Sequence, residues 1–191
     1  MRPPPLSSLT ATLRQRPHYA PATETAVAAV VTLLRPGPSS VEVLFIERAT
    51  REGDPWSGHI AFPGGRRDPG DASLLATAMR ETEEEVGLRL APASLVTRLD
   101  DFVTRNNDTQ VAHFVFELGD PATPLTPNAE VASILWTPID VLVSPGNAGT
   151  MTLVRDGVSY ELPTVKLGER VLWGMTYRMT QALLETLGLT T

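Results

Sequence analysis

Apolar residues recur in two rhythms along this chain. "TAVAAVVTLLR" (25–35) and "VEVLFIERA" (41–49) are nearly continuous aliphatic runs parted by the turn residues "PGPSS", and they predict two strands. "HIAF" (59–62) predicts a short strand ending at Pro63. "SLVTRLDDFVT" (94–104) and "TQVAHFVFEL" (109–118) flank "RNND" and predict a hairpin. "VASILWTPI" (131–139) predicts another strand, followed by a short helix around "DVLVS". In "TMTLVRDGVSYELPTV" (150–165), Asp156-Gly157 sits between alternating segments, a strong hairpin signal. Helical spacing marks "LSSLTATLRQR" (6–16), a central segment after Gly70, and "RVLWGMTYRMTQALLETLGL" (170–189), a closing helix that ends near Gly188. Strands around a central and a terminal helix predict an α/β (α+β) fold, a mixed sheet with helices packed on it. One domain spans 1–191, with 1–24 as an N-terminal extension.

The central segment concentrates charge. Glu81, Glu83, Glu84 and Glu85 fall within five positions. Asp71 or Ser73 is placed to cap a helix running to about Val86, and Gly87 supplies a left-handed stop. At about 100° per residue, Leu75, Ala78, Met79, Thr82 and Val86 share an arc facing the core. Glu81, Glu84 and Glu85 share a separate arc, since i, i+3 and i+4 are neighbours, whereas Glu83 points elsewhere into solvent. The bland reading is a solvated face. The sharper one is a site for a hard divalent cation, which prefers oxygen ligands. Acids near a helix carboxyl end oppose the macrodipole, so the arrangement reads as stability given up for function.

Composition narrows the partners. The net charge of −6 argues against a nucleic acid or an anionic membrane as partner. The longest apolar stretch is too short to span a bilayer, the amino terminus has no signal-peptide core, and there is no cysteine, which together suit a cytoplasmic protein. Lys166 is the only lysine, and the arginines that replace the others are good bidentate partners for phosphate.

Just upstream, Pro63-Gly64-Gly65 permits a sharp turn in which backbone groups approach a ligand closely. Gly65 is followed after five residues by Asp71, and after eight more by Arg80-Glu81-Thr82-Glu83-Glu84-Glu85-Val86-Gly87-Leu88. This resembles the signature of the Nudix hydrolases: Gly, five residues, Glu, seven residues, then Arg-Glu-apolar-any-Glu-Glu-any-Gly-apolar. The chain departs from it in Thr82, in Asp for Glu at 71, and in one extra residue. The resemblance implies an α/β/α sandwich. It also implies hydrolysis of a nucleoside diphosphate linked to another moiety, using Mg2+ or Mn2+. By carry-over, Glu81, Glu84 and Glu85 bind metal, with the Gly65 carbonyl as a further ligand, and Arg80 orients the acids.

Beyond the motif, "FIERA", "GDPWSGHIAFPGG" and "VLWGMTYRM" resemble the coenzyme A pyrophosphatase branch, with Trp56 in place of its histidine and Asp54 in place of its arginine. The substrate implied is a small nucleotide diphosphate, coenzyme A or a derivative, with ADP-ribose the alternative; a homodimer stays open. Gly64, Gly65, Arg48, Arg66 and His59 are candidate substrate contacts, as is Arg67, against a solvent-exposed or merely packed alternative. Trp56 is a candidate for stacking on a base, or simple packing. His113 alternates with Val111 and Val115 and reads as structural, and His18 carries no signal. Glu84 and Glu130 are the candidates for the water-activating base. A noncatalytic Nudix module loses motif acids, and a calcium loop alternates its acids around a glycine; neither pattern is present.

Overall fold

The computed structural model describes residues 4–21, 24–53, 56–104 and 109–189; Asp54 and the expected "RNND" turn lie outside them. The main sheet contains β1 (Ala28–Pro36), β2 (Val41–Arg48), β3 (Ile60–Ala61), β4 (Gly64–Arg66), β5 (Leu95–Val103), β6 (Gln110–Glu117) and β7 (Val131–Pro138). Its path runs β3-β2-β1-β6-β5, with β7 also paired to β2 and β4 to β1. The β1–β6 pair is parallel and the others antiparallel, so the sheet is mixed.

The unbroken apolar runs of β1 and β2 arise because both faces of these strands are covered. Alternate residues serve different cores. Ala29, Val31, Leu33, Leu44 and Ile46 face one core with Leu74, Ala78 and Val86 of α2 (Leu74–Val86). Leu34, Val43 and Phe45 face the other, shared with α1 (Leu6–Gln15), α3 (Ile139–Val143) and α4 (Gly174–Thr186). The result is the expected three-layer arrangement, helix on sheet on helix.

The Asp156-Gly157 turn takes positive φ at both positions (51° and 75°), as a two-residue hairpin between β8 (Ala148–Arg155) and β9 (Val158–Leu167) requires. The closing segment differs from its expectation. Residues 170–172 form β10 (Arg170–Leu172), paired with β9, and the helix starts only at Gly174. Leu172 is buried in the same core as Met179, Leu183 and Leu184 of α4, so its apolar character mimics a helical stripe. Among the described residues no helix is long and apolar enough to cross a membrane.

Candidate active site

The site forms where β4 meets α2. Ser73 caps the helix by accepting a hydrogen bond from the Ala76 amide (3.1 Å), and Gly87 ends it at φ 69°. Asp71, the other capping candidate, is used elsewhere. The buried stripe is Leu74, Thr77, Ala78, Thr82, Glu85 and Val86. Leu75 and Met79 flank this stripe, half-buried and packed against the same core, as the expected arc has them. The correction concerns Glu85, which belongs to the inward face and not to an open row of acids. Thr82, the departure from a bulky aliphatic, is fully buried and donates its hydroxyl to the Ala78 carbonyl (2.7 Å), which satisfies it without a partner outside the helix.

Two glycines let the helix come this close. Gly64 and Gly65 pair with Val30 and Ala29 of β1, so the expected turn is also a short strand. Gly64 has φ 146°, and a Cβ there would strike the Ala29 carbonyl and Val30. A Cβ on Gly65 would lie 2.5 Å from the Glu81 carboxyl carbon, so that carboxylate rests directly on the Gly65 backbone. The Gly64 amide donates to Glu85 Oε2 (2.8 Å).

Arg80 is the hub of the acids. Its Nε and Nη2 donate to the two Asp71 carboxylate oxygens, each at 3.0 Å, a bidentate pair. It also reaches Glu81 (2.9 Å), Glu84 (2.8 Å) and the Arg66 carbonyl (3.1 Å). The Arg80 guanidinium holds Asp71 far below the usual carboxylate range, and Asp71 in turn strengthens the charge on Arg80. The Asp-for-Glu replacement therefore keeps a carboxylate on Arg80.

Glu85 is the opposite case. Its side chain is almost wholly shielded, the residue being 4% exposed, and desolvation pushes its pKa up to about 7 despite the Gly64 amide. Glu81 and Glu130 add to the rise, and Arg48 opposes it, which places all three charges around Glu85. Burial also pushes the Glu81 carboxyl up, against the pull of Arg80. Glu130 is half-exposed and pairs with Arg51 (3.0 Å), a residue that its sequence context did not single out; its backbone carbonyl accepts from the Ala49 amide (2.8 Å).

The remaining candidates divide. Arg66 is exposed on β4 beside Gly65. Arg67 turns away and donates to the Asp71 carbonyl. His59 lies just before β3, with its ring against Trp56 and Trp173. His113 is buried on β6, its Nε2 2.7 Å from the Thr32 hydroxyl, and burial lowers its pKa to about 3, consistent with a structural group. His18 Nδ1 accepts from the Arg98 amide (3.3 Å), away from the helix. Glu83 faces outward and pairs with the exposed Arg89.

Among the described residues no three His, Asp or Glu side chains are gathered at metal-coordinating spacing. Arg80 draws Glu81 and Glu84 to itself, while the Gly64 amide holds Glu85. The donor set nevertheless fits a hard cation. It offers only oxygens, one of its carboxylates is buried without a full counter-charge, and the glycine turn leaves backbone within reach.

Comparison with known proteins agrees with this geometry. The NUDIX domain model matches residues 24–156. A Yersinia pestis protein described as an uncharacterized Nudix hydrolase, NudL, is 31% identical over 163 residues, 83% of this chain and 78% of that protein. An uncharacterized Schizosaccharomyces pombe protein is 42% identical over 110 residues, 54% of this chain, which spans only 33% of its length. A MutT/nudix family protein of Enterococcus faecalis superimposes with a TM-score of 0.57 at 20% identity, covering 97% of this chain and 75% of that one. A bifunctional NMN adenylyltransferase/ADP ribose pyrophosphatase of Francisella tularensis gives 0.55 at 15% identity, over 88% and 43%. The matched family model spans the glycine turn and the acidic helix, and with the Yersinia relative it shows that the chain belongs to the Nudix hydrolase family and is a pyrophosphohydrolase.

Proposed function

We propose that this protein hydrolyses the diphosphate of a nucleoside diphosphate joined to another moiety, with Mg2+ or Mn2+ held by Glu81, Glu84 and Glu85 and by the Gly65 carbonyl. One observation carries the reading: the fold buries the Glu85 carboxyl, 4% exposed, with its Oε2 on the Gly64 amide, where the charges of Glu81 and Glu130 act on it as well as that of Arg48. A purely structural helix has no reason to keep that acid. When bound, divalent cations neutralise diphosphate oxygens and help to deliver the attacking water.

The chain's own groups do the rest. Arg48 and Arg66 bind phosphate oxygens, and the Gly64-Gly65 turn lets the diphosphate approach backbone. Arg80, fixed by Asp71, holds Glu81 and Glu84 in orientation. Glu84 or Glu130 accepts the proton of the attacking water, both being solvent-accessible carboxylates beside the buried acid. Water adds across one P–O bond, and two phosphate-bearing products leave.

The resemblance of "SGHIAFPGG" and "VLWGMTYRM" favours coenzyme A-type substrates, giving 3′,5′-ADP and 4′-phosphopantetheine. ADP-ribose is the second reading, favoured by Trp56 replacing the histidine of that branch. A charged hydrogen bond to phosphate is worth about 1.5–3 kcal/mol, roughly ten- to a hundredfold in specificity. The test is a panel of coenzyme A, its 3′-dephospho form and ADP-ribose, with and without divalent metal, with products identified by mass. Coenzyme A compounds are hydrolysed fastest, and only with metal. Faster turnover of ADP-ribose reverses the substrate choice, and metal-independent turnover removes the site assignment.

A further inference from the structure

Trp56 is 50% exposed, an unusual place for so large an apolar side chain. It does not stand alone. Its ring meets His59 edge-on (centroids 5.5 Å apart, 81° between planes), and His59 leans on Trp173 (4.6 Å, 58°) at the start of α4. Segments more than a hundred positions apart therefore supply one aromatic ledge.

The turn that carries Trp56 is fixed by its own hydrogen bonds. The His59 amide donates to the Trp56 carbonyl (3.2 Å), and the Ser57 hydroxyl bonds both the amide and the carbonyl of Arg51 (2.9 and 3.0 Å). Gly58, at φ 71°, makes the left-handed bend. With its backbone placed by this turn and its ring against His59, Trp56 is partly ordered before a ligand arrives, which lowers the cost of stacking on it.

Arg48 ties the ledge to the acids. Its amide donates to the His59 carbonyl and its carbonyl accepts from Gly58, each at 3.0 Å, while its positive charge acts on Glu85. The strand residue whose charge acts on the buried acid is thus bonded, through its backbone, to the turn that carries Trp56 and His59.

We propose that the Trp56–His59–Trp173 ledge receives the planar base of the nucleotide substrate, with the exposed half of the Trp56 ring as the stacking surface and His59 and Trp173 as its backing. This rests on the hydrolase reading above and adds to it the determinant for the base. A stack discriminates weakly among bases, since every base presents a π-face, but strongly against ligands that lack one.

Binding of AMP and of ribose 5-phosphate, its base-free counterpart, separates stacking from packing. AMP quenches the tryptophan fluorescence of the native protein. Trp56→Leu abolishes most of the quench and weakens AMP binding about ten- to a hundredfold, while ribose 5-phosphate binds both proteins alike. Trp56→Phe, which keeps a π-face, stays within about threefold of native affinity. In turnover, Trp56→Leu raises KM and leaves kcat nearly intact. Equal weakening by Leu and Phe, a matching loss of ribose 5-phosphate, or no AMP quench in the native protein overturns the ledge as a base site. Failure of the native protein to hydrolyse any diphosphate overturns the hydrolase reading instead, and the AMP titration still decides the ledge.

Discussion

The two ends of α2 treat their carboxylates in opposite ways. Near its start Asp71 meets Arg80 in a bidentate pair and is held far below its ordinary pKa. Near its end Glu85 is buried against a backbone amide with two other acids around it, and is pushed up to about 7. The first is a carboxylate that stabilises the fold. The second is one that the fold tolerates. Sites that bind cations are built from the second kind, because charge left unbalanced by the protein is available to a ligand.

The sharpest way to break this contrast is Glu85→Gln. It removes a charge while keeping shape, so turnover falls at least about a hundredfold. Thermal stability measured with chelator does not fall. The sign follows from linkage: the folded pKa of about 7 exceeds the ordinary glutamate value of 4.5, so the native protein loses stability as pH rises through that window. The Gln variant lacks that slope in a series of melting curves. A lowered melting temperature at pH 8 would put Glu85 in the same class as Asp71.

Asp71→Asn is the mirror experiment. It leaves Arg80 without its bidentate partner and costs about 1.5–3 kcal/mol in chemical denaturation. Because the folded pKa lies below the ordinary aspartate value of 3.8, the stability that Asp71 contributes is present above that value and lost as pH falls below it. The Asn variant is therefore less sensitive to acid than the native protein. Turnover drops less than for Glu85→Gln, since Arg80 only positions the acids.

Glu130→Gln comes next. If this residue takes the proton, the rate falls about ten- to a hundredfold with metal affinity retained, and the pH–rate profile changes shape. An unchanged profile leaves Glu84 as the base. The smallest effect belongs to Glu83→Gln. Its partner Arg89 is exposed, so rate and melting temperature stay as they are. A large loss there would mean that the outward face of the helix takes part.

Much of this was legible in the sequence, because local signals sufficed. The strand runs, the Asp156-Gly157 hairpin, the Ser73 cap and the Gly87 stop depend on side-chain period and backbone conformation alone. Spacing on a helix separated Glu81 and Glu84 from the outward Glu83. What spacing misjudged was the boundary of the buried face. Leu75 and Met79 do pack against the core, but Glu85 looked like surface, and the glycine strand brings β4 against its side of the helix. No helical wheel contains β4.

The sequence by itself therefore determined most of the elements, the acidic helix and the family resemblance, since each is written in neighbours along the chain, while β4 and β10 emerged only from pairing across the fold. Only the tertiary structure decided which acid is desolvated, that Asp71 belongs to Arg80, that Arg51 reaches Glu130, and that Trp173 stands behind His59 and Trp56. Those outcomes depend on which surfaces meet across long stretches of chain. Desolvation and charge pairing act through space, and a linear pattern carries no distance between residues that fold together from far apart.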